Sequence, residues 1–517
     1  MHCRSRLTTR LLLIQVCVLI AGCATNPVTG KNELMLIPES MEIRMGQENY
    51  LPSRQMQGGD YVVDPAVAAY IREVGQKLAA VSDRKLPYEF TIVNDSEVNA
   101  WMLPGGKMGI NRGLLLKMDN EAELAAVIGH EIIHAAAKHS AKQMQQALLL
   151  QGVAVAASMA IDASTDNEVV QGIGAIGVQA ASVLLQSKFS RDDESQADHY
   201  GMVYMSRAGY DPQAAVSVQE LLLKESRGPP DNLFTRLLAD HPPSAERLVA
   251  NRTFVAQLPA GGRLAHEEYH RRLATLFRDA PGYADYDKAG EALKAGDFKK
   301  AQALADKAIA IEPKEALFHL LKGRAMEGMY MGRKALNEYR NAARLNPGYY
   351  ESHLRLGLLL DSMGNRYQAK QALENSVRLL KTAAALRLLG SYALANGNVA
   401  QAKGYFRQAA ESGSGEGKAA FADLLKLDLP NNAGAYLDSS LALDGNGQIQ
   451  FMIRNNTPFP VGNIVVEVSD NTGNRRFGLN GVLQPNSEAP FNMGAQATQQ
   501  QIDNSSITVL SARLAMR

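Results

Sequence analysis

Residues 127–142, VIGHEIIHAAAKHSAK, set three histidines and one glutamate among small apolar residues. Imidazoles four positions apart share one face of a helix, so His130 and His134 can address the same ion. Glu131, one residue on and rotated by roughly 100°, comes within reach of a water at that ion. His139 lies nine residues beyond His130, roughly 180° around a continuous helix. That spacing rules it out as a third ligand from the same helix and places it on a surface or between domains. The third ligand comes from FSRDDESQADHYGMVYMSRAGYDP, where Glu194 and Asp198 are again four apart. Glu194 supplies a carboxylate to the ion, and Asp198 a second carboxylate to orient a ligand imidazole through its other nitrogen. Two imidazoles, one carboxylate and an open position form the donor set of catalytic zinc, one ion per chain; structural zinc closes its shell, usually with cysteines.

These residues need two helices. Asn120 followed by Glu123 reads as a capping box that opens the first, with the apolar pattern running on to Leu150. Asp192 and Asp193 compete with Glu194 as ligands, but neither stands four before an acid with the helix behind it, and they read as caps of the second helix, which ends near Gly209. Between the two, residues 143–186 are rich in alanine and glycine and almost free of charge. DASTDNE interrupts them, which predicts two helices and a turn packed over the zinc-binding core. Upstream, VNAWMLPGGKMGINRGLL predicts a turn at Gly105 and Gly106 entering a short strand. Trp101, the sole tryptophan, reads as core.

Four ordered blocks (the tryptophan segment, HEIIH, SRDDESQADHYG and HPPSAERL) make residues 36–248 resemble the gluzincin metalloendopeptidases of the CAAX-prenyl-protease (Ste-type) family. The likeness is to its soluble periplasmic branch, which adds tetratricopeptide repeats. It implies His130, His134 and Glu194 as zinc ligands, Glu131 as general base and Asp198 as their support. It also implies an edge strand at Met108, Gly109, Ile110 and Asn111 that pairs with extended protein substrate; an ordinary hairpin is the other reading of that stretch. His241 and Arg247 resemble the His-Pro and arginine pair of the family's cleft. Three readings stand for them: steadying the oxyanion, His241 latching the open zinc position, or a His-Pro-Pro helix start with Arg247 facing solvent.

The chain of 517 residues is too long for one core and has a formal charge of +1. No basic patch supports nucleic-acid binding. Arg4, Arg6 and Arg10 precede LLLIQVCVLIAGC, an apolar run of signal-peptide length that ends in a lipobox-like IAGC. The bacterial pattern implies cleavage after residue 22, lipid on Cys23 and, with Ala24 next, anchoring in the outer membrane facing the periplasm. Cys3 and Cys17 leave with the signal, so no internal disulfide is available to the mature chain. No other segment reaches eighteen uninterrupted apolar residues; residues 147–161 come nearest and include Gln151 and Gly152.

Beyond the zinc blocks a repeat emerges. Ala301, Ala335 and Ala369 are 34 apart and Ala402 follows after 33; Gly296, Gly364 and Gly397 keep the turn phase, with Tyr330 in place of glycine in the second repeat. This is the tetratricopeptide period, and a solenoid of that kind offers a concave face for a protein partner, such as an envelope assembly machine. From residue 434, alternating stretches such as QIQFMIRN and NIVVEVSD predict a small β-sandwich of five to seven strands. The expected organisation is mainly α and multidomain: a signal peptide (1–22), an α+β zincin domain (23–275), an α-solenoid (281–426) and a C-terminal sandwich (434–517). The family resemblance, and no residue here, implies cleavage of misfolded or stalled envelope proteins. The alternative is a latent protease that serves as a chaperone or scaffold for outer-membrane protein assembly.

Overall fold

The computed structural model of the protein describes residues 23–150, 188–227 and 233–515. The segment expected to be a signal peptide (1–22) and most of the alanine- and glycine-rich stretch at 143–186, with the two helices and turn expected there, lie outside the described residues. Two compact units divide the chain, Met1–Leu359 and Leu360–Arg517.

The first unit opens with a short antiparallel pair, β1 (Cys23–Thr25) and β2 (Asn32–Leu34). Helices α1 (Glu39–Gln55) and α2 (Pro65–Ala80) follow, then strands β3 (Glu89–Val93), β4 (Ala100–Leu103) and β5 (Lys107–Asn111). A short α3 (Arg112–Leu115) leads into α4 (Glu121–Ala136) and α5 (His139–Leu150). After 188 come α6 (Arg191–Arg207), α7 (Gln213–Glu225), α8 (Thr235–Asp240), α9 (Ala245–Val255) and α10 (His266–Arg272).

The sheet order is β3-β5-β4, with β5 parallel to β3 and antiparallel to β4. Phe90, Ile92, Ala100, Met102, Met108 and Ile110 form one face and share a core with Ile71 and Leu78 of α2 and Leu124, Ile128 and Ile132 of α4. The opposite face buries Trp101 with Tyr50, Val93 and Leu103, as a core tryptophan should. The turn at Gly105 and Gly106 is a glycine necessity: both have positive φ, and a Cβ on Gly105 would lie 2.6 Å from Ile43 Cα.

One expectation fails here. The strand Met108–Asn111 is the middle of the sheet, hydrogen-bonded on both sides, and has no free edge for a substrate. Of the two strands of that hairpin, β4 is the one at an edge of the sheet. Asn111 N–H donates to Asn99 O, so the ladder engages residues 99, 101 and 103 and turns the backbone groups of Ala100 and Met102 outward. The glycine turn was legible, but which of its two strands lies outside depends on β3, which precedes both.

The first unit continues into antiparallel helix pairs: α11 (Ala274–Lys294) with α12 (Phe298–Ile311), then α13 (Ala316–Gly328) with α14 (Gly332–Leu345), and on to α15 (Tyr350–Ser362). The first repeat helix starts at Ala274, ahead of the expected 281, and carries Pro281 inside it. The second unit holds α16 (Arg366–Leu379), α17 (Ala383–Ala395), α18 (Val399–Ala410) and α19 (Gly415–Asn432). Ala301, Ala335, Ala369 and Ala402 are all fully buried, the small residues that allow close helix crossing in tetratricopeptide repeats. The units thus divide the repeat segment at 359/360, whereas the sequence reads it as one block.

Turn chemistry varies between repeats. Gly296, Gly364 and Gly397 adopt positive φ at three of the turns, and Asp297, Asn365 and Asn398 then cap the next helix. In the second repeat Tyr330 takes φ 61° while 98% exposed, and Met331 offers no capping side chain. A non-glycine residue in this region costs about 1–2 kcal/mol. Tyr330→Gly is expected to stabilise the first unit by about 1 kcal/mol, and Met331→Asp by a similar amount through the N-cap. Urea midpoints of the two variants measure this; an unchanged or lower midpoint contradicts it.

The second unit ends in six strands: β6 (Leu437–Leu443), β7 (Gln448–Asn455), β8 (Val461–Asp470), β9 (Gly473–Leu483), β10 (Glu488–Gln496) and β11 (Ser506–Leu514). They form two antiparallel sheets, β10-β7-β6 and β11-β8-β9. Phe451 and Ile453 of the first sheet and Ile464, Val466 and Val509 of the second enclose one core, to which α19 adds Leu425 and Leu429. This is a small β-sandwich.

Candidate metal centre

The site is built where α4 crosses α6. Asn120 accepts the Glu123 N–H and starts α4; the Glu123 carboxylate reaches back to Asp119 N at 2.7 Å, one residue further than a standard capping box. Ser190, with Asp193 as its reciprocal partner, starts α6. The helices approach at glycines: a Cβ on Gly201 would stand 3.1 Å from His130 N, and one on Gly129 3.2 Å from Gly201 O. This crossing sets Glu194 and Asp198 opposite the two histidines. Gly201→Ala pushes backbone against backbone and is expected to cost about 1–3 kcal/mol of stability. It should also weaken metal retention, because the ligands sit on both helices. Thermal unfolding with and without a chelator reads both effects; wild-type behaviour in both contradicts the crossing as the positioning device.

His130 Nε2 and His134 Nε2 are 3.1 Å apart. Glu194 places Oε2 3.6 Å from His130 Nε2 and Oε1 3.4 Å from His134 Nε2. Zn–N bonds of 2.0–2.1 Å in a tetrahedron hold neighbouring ligands roughly 3.3 Å apart. Glu194 Oε2 is buried with no aligned hydrogen bond, although Arg247 Nη1 lies 2.9 Å away. Spacing and donor chemistry fit a zinc ion.

The outer nitrogens are held in turn. His130 Nδ1 lies 3.0 Å from Asp198 Oδ1; with the proton on Nδ1, the Nε2 lone pair faces the cluster. Asp198 also accepts from Arg247 Nε and Nη2, each at 2.8 Å, and from Asn251 Nδ2 at 3.1 Å. Burial opposes ionisation of Asp198, yet these donors outweigh it and hold its carboxyl below the usual range. Glu194 is likewise held low by His241, His130 and His134 against the cost of burial. Burial depresses His134 and keeps that imidazole neutral.

His139 corrects an expectation. It is fully buried, and its Nδ1 lies 3.0 Å from His134 Nδ1. Its Nε2 faces Gln196 Oε1 at 3.5 Å and Asp193 Oδ1 at 3.4 Å. The helix assumed in the 180° argument breaks: α4 ends at Ala136, Lys138 adopts φ 62°, and α5 starts at His139 itself. The break folds His139 back onto His134 as its outer partner. Phe189, stacked on the His134 ring at 3.7 Å, is a second contact that the sequence reading omits. Neither the left-handed lysine nor the stacking has a local sequence signal.

His241 caps the end of α8, and its Nδ1 enters the same cluster, 2.9 Å from Glu194 Oε1 and 3.3 Å from His130 Nε2. It stands where the sequence reading leaves an open vertex. Its Nε2 is 3.4 Å from Glu131 Oε1. Burial disfavours a charged ring there, but Glu194 and Glu131 outweigh it and raise its pKa to about 9. Glu131 is itself pushed up by burial, partly offset by His241 and His130. Arg247 is not on a solvent face: all three of its nitrogens are engaged, by Asp198, Glu194 and Pro242 O. It braces the two acids and is better placed to position them than to meet an oxyanion.

Beside His130 and Glu131 a cleft of about 710 Å³ opens, lined by Val127, Met202, Val218, Leu222 and Leu237. Among the described residues no helix is long and apolar enough to cross a membrane.

Residues 65–254 match the model of Peptidase family M48. The chain is 27% identical over 337 residues to the beta-barrel assembly-enhancing protease of Escherichia coli (strain K12), covering 57% of this chain and 68% of that protein. It is 31% identical over 219 residues to a putative beta-barrel assembly-enhancing protease of Vibrio cholerae, covering 41% and 44% respectively. The mitochondrial metalloendopeptidase OMA1 of Arabidopsis thaliana is 30% identical over 188 residues, 36% of each chain. The matched segment contains every residue of the cluster, and the chain is a metalloendopeptidase.

Proposed function

We propose that this metalloendopeptidase is zinc-dependent, works in the bacterial envelope and cleaves unfolded or stalled proteins there. The observation that carries the reading is the convergence of His130 Nε2, His134 Nε2 and the Glu194 carboxylate at 3.1–3.6 Å, with Glu131 beside them at the cleft. A bound zinc ion supplies Lewis acidity that acidifies water and polarises a peptide carbonyl. Glu131 takes the proton of the attacking water on its carboxylate and returns it to the leaving amine; a carboxyl raised by burial suits both transfers. The outward backbone groups of Ala100 and Met102 on β4 are the edge that an extended substrate would join. The apolar cleft takes one of its side chains.

A specific contact favours a second reading, a protease that rests latent. With His241 Nδ1 2.9 Å from Glu194 Oε1, a fourth protein donor competes for the position that substrate and water need. Cleavage then requires α8 and His241 to withdraw. His241→Ala is expected to raise casein cleavage several-fold while zinc remains bound, and His130→Ala to abolish it. If His241→Ala lowers cleavage instead, the histidine serves the reaction and the latch is wrong; if His130→Ala cleaves casein like wild type, the zinc reading falls.

Lipid on Cys23 would hold the protein at the outer membrane, facing the periplasm, as IAGC followed by Ala24 suggests. The tetratricopeptide helices are the natural recruiters of a client or of envelope assembly machinery, in keeping with relatives named for β-barrel assembly. In the latent reading those helices make the protein a chaperone or scaffold first and a protease on demand.

A further inference from the structure

We propose that Asp119, His266 and His270 form a second metal site, selective for a divalent transition ion of borderline hardness such as Zn²⁺ or Ni²⁺. His266 and His270 are four apart on α10, their rings 4.5 Å centre to centre. Asp119 comes from the residue before the cap of α4 and brings Oδ1 to 3.2 Å from His266 Nε2 and 3.8 Å from His270 Nε2. One ligand atom from each of the three lies within 4.8 Å of the others. Two imidazoles and a carboxylate suit zinc and nickel better than calcium or magnesium, which prefer oxygen alone.

A surface ion pair explains Asp119 with His266 but leaves His270 over. His270 Nε2 is buried and has no hydrogen-bond partner, since 3.8 Å to Asp119 is too long for one. A buried nitrogen left this way is costly unless something else uses its lone pair. The ring is also pre-oriented: it stacks on Phe277 at 4.9 Å and meets Tyr269 edge-on, and Tyr269 is tied to Leu115 O at 2.7 Å. The arginines of this face do not oppose a cation strongly, because Arg263, Arg271 and Arg272 are paired with Glu121, Glu268 and Glu73.

The site is separate from the HEIIH cluster. Asp119 precedes His130 by eleven residues, roughly 15 Å along the helix at its usual rise. An ion here would tie the start of α4, the helix that carries His130 and His134, to α10. It would clamp the base of the catalytic helix without touching substrate.

Equilibrium dialysis of the full chain against excess Zn²⁺, with metal counted by mass spectrometry, tests the proposal. Wild type should bind two ions and the His266→Ala/His270→Ala variant one, with casein cleavage at one equivalent of zinc unchanged. His130→Ala/His134→Ala should lose the other ion and keep this one, so the two sites fail independently. Asp119→Asn, which preserves the helix, should weaken the second equivalent by at least ~10-fold and remove the further rise in melting temperature that the second equivalent adds to the first. A wild type that binds one ion, or a His266→Ala/His270→Ala variant that still binds two, overturns the proposal.

Discussion

Glu131→Gln is expected to lower peptide cleavage by about 10²- to 10⁴-fold while leaving one zinc per chain. The amide keeps the shape of the side chain but cannot accept the proton that the carboxylate takes. Glu131 is nearly fully buried and contacts His241 Nε2 at 3.4 Å, and neither fact involves holding the ion. Metal content and casein cleavage measured on the same preparation therefore separate the two roles. Full activity with stoichiometric zinc would remove Glu131 from the reaction; loss of zinc would make it a ligand.

The second large effect belongs to Asp198. Its two oxygens take four hydrogen bonds, from His130, Arg247 twice and Asn251. Asn at this position offers one acceptor oxygen, turns an NH₂ towards donors and leaves the Arg247 guanidinium beside Glu194 without its main partner. Zinc affinity is expected to fall by about 10- to 100-fold, as when an outer support of a ligand imidazole is removed. Chelator competition reads this directly. The sign of the pH effect follows. Because the folded carboxyl is depressed, its contribution is present above the unfolded value and is lost only as pH falls through the folded one. Asp198 therefore stays ionised between pH 5 and 8 and adds no pH dependence of its own to zinc retention across that window. Unchanged affinity in Asp198→Asn would reduce the carboxylate to packing.

Much of the cluster could be read before any coordinates because its geometry is local. The i, i+4 spacing of His130 and His134, and of Glu194 and Asp198, is a property of a single helical turn. The 34-residue repeat is likewise one-dimensional, and its alanines are buried where the period puts them. What escaped the sequence depends on non-local or atypical backbone. Lys138 at φ 62° breaks a run that is helical by every local preference, and that break converts His139 from a bystander into the partner of His134. The position of β5 inside the sheet is decided by pairing with β3, eighteen residues earlier, so the hairpin sequence alone assigns the free edge to the wrong strand. Arg247 was recognised as a cleft residue, but its task is fixed by two acids on another helix.

The proposed ligands come from α4 and α6, the groups that back them from α5, α6 and α9, and the proposed competing donor from the end of α8. Each ligand is rigidly backed, whereas His241 hangs on a six-residue helix followed by two prolines. A latch that moves against a fixed ligand set is the simplest division of labour in such a site.

Whether His130, His134 and Glu194 hold one zinc ion is decided by anomalous diffraction at the zinc edge on the full chain loaded with one equivalent. A single peak is expected, with two imidazole nitrogens at about 2.0–2.1 Å and a Glu194 oxygen at about 2.0–2.2 Å. A peak elsewhere, or one at the histidine pair with Glu194 beyond bonding distance, contradicts it.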